Sequence, residues 1–99
     1  MTNIKITKNS IIVEGHSGYA EVGKDIVCAA ISTLTEATYN YLVATDNKVE
    51  SSPDTDGLFI IKIDELNQAG EKIIKSFEEM IDDIASQYPE NVRKVLWKN

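Results

Sequence analysis

One cysteine, one histidine and two prolines are all that this 99-residue chain has of each. A single cysteine excludes an internal disulfide framework, so a reducing compartment, the cytoplasm, is the expected home. One Cys and one His supply two soft ligands where a structural zinc needs four, so no metal and no cofactor are expected. Positive charge is short as well. Ten Lys and Arg against 16 Asp and Glu leave a net charge of -6. That excludes a direct, nonspecific nucleic-acid binder, which needs clustered cations to displace counterions. No run approaches the roughly 18 apolar residues of a membrane span. The opening "MTNIKITKNS" alternates apolar and polar residues and lacks the apolar core of a signal peptide. Low-complexity tracts and internal repeats are absent. The segment from Gly18 to Asp25 lacks phosphate-loop spacing, because Asp25 follows Gly23-Lys24 where that loop needs Ser or Thr.

What is present suits one globular domain spanning residues 1–99, with 42% hydrophobic residues. "NIKITK" alternates as a strand, "NS" at Asn9-Ser10 is turn chemistry, and "IIVEG" returns as a second strand, so a hairpin delivers His16 at its exit. Ser17 to Lys24 reads as a loop. A helix is predicted from Asp25, an N-cap residue, to about Thr45, with Ile26, Val27, Ala30, Ile31, Leu34, Ala37 and Tyr41 on one broad face. Glu36 is its one charge after the cap, so it is expected to be buried on more than one side, by sheet, helix or a second subunit. A short strand around Lys48 to Ser51 and a turn from Ser52 to Gly57 precede "LFIIKI", the strongest strand in the chain. The second helix region is predicted to start at Asp64 and run to about Gln87. Its apolar stripe is Leu66, Ala69, Ile73, Ile74, Phe77, Ile81, Ile84 and Tyr88, and Glu78-Glu79 and Asp82-Asp83 fall on a solvated face. Pro89 ends it, and "NVRKVLW" reads as a last strand. The order β-β-α-β-β-α-β describes an α+β domain in which a buried helix and an amphipathic helix pack with a small β-sheet.

The candidate chemistry sits in "GHSGYAEVGKDIVCAAIS", residues 15–32, which holds both His16 and Cys28. Taken singly, a helical cysteine is most often a small buried hydrophobe, and a histidine at a strand end is most often a hydrogen-bonded surface residue. Position changes that weighing. With Asp25 as N-cap, Cys28 is the third helical residue, where unpaired amides and the positive end of the helix dipole favour thiolate over thiol. Around the helix Cys28 groups with Ser32, Thr35 and Tyr39, away from the Ile26–Ala30–Leu34 stripe, and Ser32 stands one turn on. The same helix-start amides are expected to receive an oxyanion. Asp25 reads as a cap first and as a residue orienting His16 second.

These residues resemble the signature of the bacterial ribosomal-processing cysteine proteases, the Prp family. Its pattern is roughly Gly-His-Ala-Gly-Tyr-Ala, a short Gly-containing loop, then Asp-Ile-Val-Cys-Ala-Ala-hydrophobic-Ser. Gly15, His16, Gly18, Tyr19, Ala20, Gly23, Asp25 to Ala30 and Ser32 match as they stand. Ser17 replaces the usual Ala, a change expected to leave the chemistry alone. The likeness extends over the whole chain in length and element order, including "YPENVRKV". It implies an α+β homodimer and a Cys–His endopeptidase without metal or cofactor. Cys28 would be the nucleophile and His16 the base, with Gly18, Asp25 and Ser32 supporting the site or the peptide and Ser17 to Lys24 as a gate. The implied partner is the N-terminal extension of large-subunit ribosomal protein number twenty-seven. Two other readings remain on the residues alone: a noncatalytic ribosome-associated interaction module, and a thiol-dependent transferase or redox protein.

Overall fold

Alternation sets the strands. In the computed structural model, which describes residues 1–21, 24–52 and 57–96, Thr2–Ile6 forms β1 with Thr2, Ile4 and Ile6 buried. The Thr7 amide donates to the Ser10 carbonyl at 2.9 Å. Thr7 Oγ1 accepts from the Asn9 amide at 3.1 Å, so this turn is stitched by its own side chain. The chain returns as β2, Ser10–Glu14, pairing Ile4 with Val13 and Ile6 with Ile11. After helix α1, Ile26–Ala44, come β3, Lys48–Ser51, and β4, Leu58–Glu65. Helix α2, Gln68–Gln87, and β5, Val92–Leu96, close the chain. The sheet order is β3-β4-β2-β1-β5, antiparallel except for the β1–β5 pair. One face of this sheet and both helices share a single core, built on Ile4, Ile11, Ile61, Val27, Ile31, Leu42, Phe77 and Ile81. This is the predicted α+β domain in the predicted element order. Among the described residues, no helix is long and apolar enough to cross a membrane. Parts of the expected loop (Val22, Gly23), of the expected turn (Pro53 to Asp56) and of the last strand (Trp97) lie outside the described residues.

Two expectations are corrected. The second helix does not begin at Asp64, because strand pairing claims that residue. β3 pairs Val49 with Ile63 and Lys48 with Glu65, so Asp64 is the extra residue of a bulge. A Lys48–Glu65 contact at 3.6 Å spans the pair. The helix waits for Asn67, whose side-chain oxygen accepts from the Gly70 amide at 2.8 Å. The second correction is the buried face of α1. It consists of Val27, Ile31, Thr35, Thr38 and Leu42, whereas Ile26 and Tyr41 are 59% and 63% exposed. Polarity misled the pattern. The hydroxyls of Thr35 and Thr38 each donate to the carbonyl four residues back, both at 2.7 Å, so they enter the core already satisfied. The face is rotated accordingly, and Cys28 borders the buried side instead of standing clear of it. On α2, Asp82 is more than a solvated charge: it meets Lys94 of β5 at 2.6 Å and ties the helix to the sheet.

Candidate active site

Two glycines hold the exit of β2 against the entry of β4. Gly15 has φ +91° and its amide donates to the Gly57 carbonyl at 2.7 Å; Gly57 has φ +77°. Both dihedrals lie where a side chain costs free energy. His16 follows, exposed, with its imidazole against the Gly57 backbone: a Cβ at Gly57 would lie 3.0 Å from His16 Nε2 and 3.3 Å from Cε1. Gly57 is a site residue that the local sequence did not mark.

The next residues wrap around Asp25, which is 8% exposed. Its Oδ1 caps α1, accepting from the amides of Val27 (3.0 Å) and Cys28 (2.9 Å). Its Oδ2 accepts from the Ser17 hydroxyl at 2.5 Å and from the amides of Tyr19 and Ala20 at 3.2 and 3.4 Å. Burial alone would raise the Asp25 carboxyl. The hydrogen bonds from Ser17, Cys28, Ala20 and Tyr19 more than offset it and hold the pKa at about 2. Gly18, φ +73°, lets the loop turn around the carboxylate. One expectation changes here. The amides of Val27 and Cys28 are committed to Asp25 and are not free to receive an oxyanion. Among the described residues no hydrogen bond joins Asp25 to His16, and both carboxylate oxygens are engaged by the loop and the helix start. Ser17, too, is less neutral than its place opposite the family's Ala implies, because its hydroxyl is one of the carboxylate's partners.

Cys28 is half-buried, and its Sγ accepts from the Ser17 amide at 3.2 Å. The sulfur thus stands at the start of a helix with a backbone amide aimed at it. The Ser17 carbonyl in turn accepts from Asn91 Nδ2 at 3.0 Å, across 74 residues of chain. Tyr19 meets the Tyr88 ring edge-on, with centroids 5.4 Å apart. Among the described residues no hydrogen bond joins His16 to Cys28, and none is made by the Ser32 hydroxyl.

His16, Gly18, Asp25, Cys28 and Ser32 all line one cavity of about 290 Å3. His16, Cys28 and Ser32 also form one wall of a second, of about 100 Å3, closed by Val13, Thr35, Gly57 and Phe59. The thiol, the imidazole and the Ser32 hydroxyl thus stand between two hollows, one floored by apolar strand residues and one open along the loop. Such an arrangement can present a thiol and a proton carrier to a chain lying across both hollows. Val13 comes from β2, Gly57 from the turn just before β4, Phe59 from β4 and Asn91 from the α2–β5 turn. The sequence placed Val13 and Phe59 on strands, Gly57 in a turn and Asn91 at the head of the last strand, but marked none of them for the site.

A two-helix, five-strand α+β domain with a cysteine at a helix start and a histidine at a strand exit defines the class. Residues 1–93 match the family Cysteine protease Prp, and the chain belongs to it. The ribosomal processing cysteine protease Prp of Staphylococcus aureus is 28% identical over 102 aligned positions, covering 94% of this chain and 96% of the relative. The Mycoplasma genitalium protein of the same name is 56% identical over 34 residues, 34% of each chain. The crystal structure of the Staphylococcus aureus protease with a covalently linked product peptide superposes with a TM-score of 0.89 at 25% identity, over 98% of this chain and 100% of that one.

Proposed function

We propose that this protein is a cytoplasmic cysteine endopeptidase that removes the N-terminal extension of large-subunit ribosomal protein number twenty-seven during ribosome maturation. The observation that carries the reading is the meeting of Cys28 and His16 in one cleft, with the sulfur already accepting a backbone amide, in a chain of a cysteine protease family. The relative crystallised with a covalently linked product peptide supports a peptide as the ligand of that cleft.

In this reading the Cys28 thiolate attacks the scissile carbonyl, and the imidazolium of His16 protonates the leaving amine. His16 then takes a proton from water, which hydrolyses the thioester and frees the thiol. The separation of the two side chains in the free protein agrees with sites whose catalytic hydrogen bonds tighten only on substrate. Asp25 keeps the loop and the helix start in register, Gly18 shapes the loop, and Ser32 faces the peptide from both hollows. The acidic surface, net charge -6, favours approach of a basic ribosomal protein. The reading includes a homodimer, supported by the apolar residues that α1 leaves exposed.

The test is cleavage of a peptide copying the ribosomal extension, followed by mass spectrometry with Cys28→Ala in parallel. One cut, absent in the variant, is the expected result. An uncut peptide together with slow alkylation of Cys28 would favour the noncatalytic interaction module instead.

A further inference from the structure

The amide that faces the Cys28 sulfur belongs to Ser17, whose local bonds, the Tyr19 amide onto its hydroxyl at 3.3 Å and the hydroxyl onto Asp25, hold its side chain. Gly18 follows it at φ +73° with open space around its α-carbon, so the backbone there has freedom to turn. Yet Ser17 is 1% exposed and each of its polar groups is committed: N–H to Cys28 Sγ, hydroxyl to Asp25 and carbonyl to Asn91.

The geometry points to Asn91 as a positioning residue for Cys28: by holding the Ser17 carbonyl, its side-chain amide keeps the Ser17 N–H aimed at the sulfur. The inference rests on Cys28 being the nucleophile. Asn91 is itself a firm anchor. Its amide donates to the Tyr88 carbonyl at 3.0 Å, and its carbonyl accepts from the Thr2 amide at 2.8 Å. Its backbone is therefore tied to both the end of α2 and the start of β1, leaving the side chain to reach the loop from a fixed base. Tyr88, three residues earlier, presses its ring on Tyr19, so the α2–β5 turn grips the loop at two points. A hydrogen bond to sulfur is stronger when the sulfur is charged, so its loss is felt by the reacting form. With the Val27 and Cys28 amides committed to Asp25, the Ser17 amide is the donor left facing the reacting atom.

The test uses the whole protein carrying Asn91→Ala, Asn91→Asp, which keeps the size but loses the donor, or Asn91→Gln, which keeps the donor on a longer arm. Cys28 is the only cysteine, so iodoacetamide alkylation reports on it alone. In Ala and Asp the alkylation profile should move to higher pH, and kcat on the peptide should fall about tenfold, the worth of one such hydrogen bond. KM should stay within about twofold, since the interaction is with the reacting group. Asn91→Gln should recover part of the rate. A purely structural role would lower the melting temperature and leave the profile where it is. Wild-type profiles and kcat in both Ala and Asp, with Cys28→Ala inactive, would overturn the positioning role and leave the nucleophile standing. If Cys28→Ala still cleaves, the nucleophile assignment falls, and the alkylation profile alone decides whether Asn91 aims the amide. Should Asn91→Ala fail to fold, the near-isosteric Asp variant carries the comparison.

Discussion

Asp25 serves two segments with two oxygens, one on the helix start and one on the loop before it. Its carboxyl is held at about 2, below the ordinary 3.8. A depressed carboxyl stabilises the fold above its unfolded value, and the contribution is lost as pH falls through the folded value. Asp25→Asn should therefore cost roughly 2 kcal/mol at neutral pH, taking about 1.4 kcal/mol per pKa unit. The gap to wild type should close as pH drops from about 4 to about 2. Denaturant melts across that range check it; a gap that persists at the acid end would assign the cost to shape instead of charge. At Gly57, Ala would add both the strain of a positive φ, about 1 kcal/mol, and an atom 3.0 Å from His16 Nε2. Gly57→Ala should lower kcat/KM at least about tenfold and shift the imidazole NMR signals of the only histidine. Gly18→Ala is the control for strain alone, since its Cβ meets nothing within 4 Å. Equal imidazole shifts in the two variants would show that the space beside His16 is not what matters.

At the scale of elements, the helix and strand limits follow from local chemistry where that chemistry is unshared. Asp25 and Thr45 bound α1 as the sequence predicts, and β3 lies where Lys48 to Ser51 places it. The misread elements are those where a distant partner decides. Asp64 belongs to a bulge that only the β3 pairing creates. The α1 face turns on threonines whose hydroxyls vanish into their own helix, a property that hydrophobic patterning counts with the wrong sign. Thr38 tests this away from the cleft. It is 4% exposed, and its hydroxyl bonds a carbonyl the helix ladder already uses. Thr38→Val keeps the shape and should leave stability within about 1 kcal/mol of wild type, read from denaturant midpoints. A loss above about 2 kcal/mol would mean that the hydroxyl holds something besides its own turn.

The whole molecule gathers its cleft from four places, and this limits what the chain order reveals. Residues 15–32 carry His16, Gly18, Asp25, Cys28 and Ser32 as one contiguous run, so the heart of the candidate site was legible before folding. Gly57 and Phe59 arrive by β2–β4 pairing and Asn91 by the β5 return, and no local pattern encodes either. The same scale decides the low charge of α1. Ile26, Tyr41 and Val43 are 59%, 63% and 49% exposed at separate places around α1, and Tyr41 shares a groove with Met80 of α2, itself 46% exposed. Within one chain this apolar groove, lined also by Leu34, Ile73 and Phe77, meets water, which suits an interface. If it is the proposed dimer face, Tyr41→Lys should convert the protein to monomer in sedimentation without unfolding it, because an exposed side chain contributes little to the fold. Tyr41 is 13 residues from Cys28 along the helix, about 20 Å at 1.5 Å per residue. Cleavage retained by that monomer would separate assembly from chemistry. Loss of cleavage with Cys28 alkylation unchanged would place part of the peptide's seat on the second copy. A wild-type protein that sediments as a monomer would remove the dimer from the proposal and leave the apolar face to another partner.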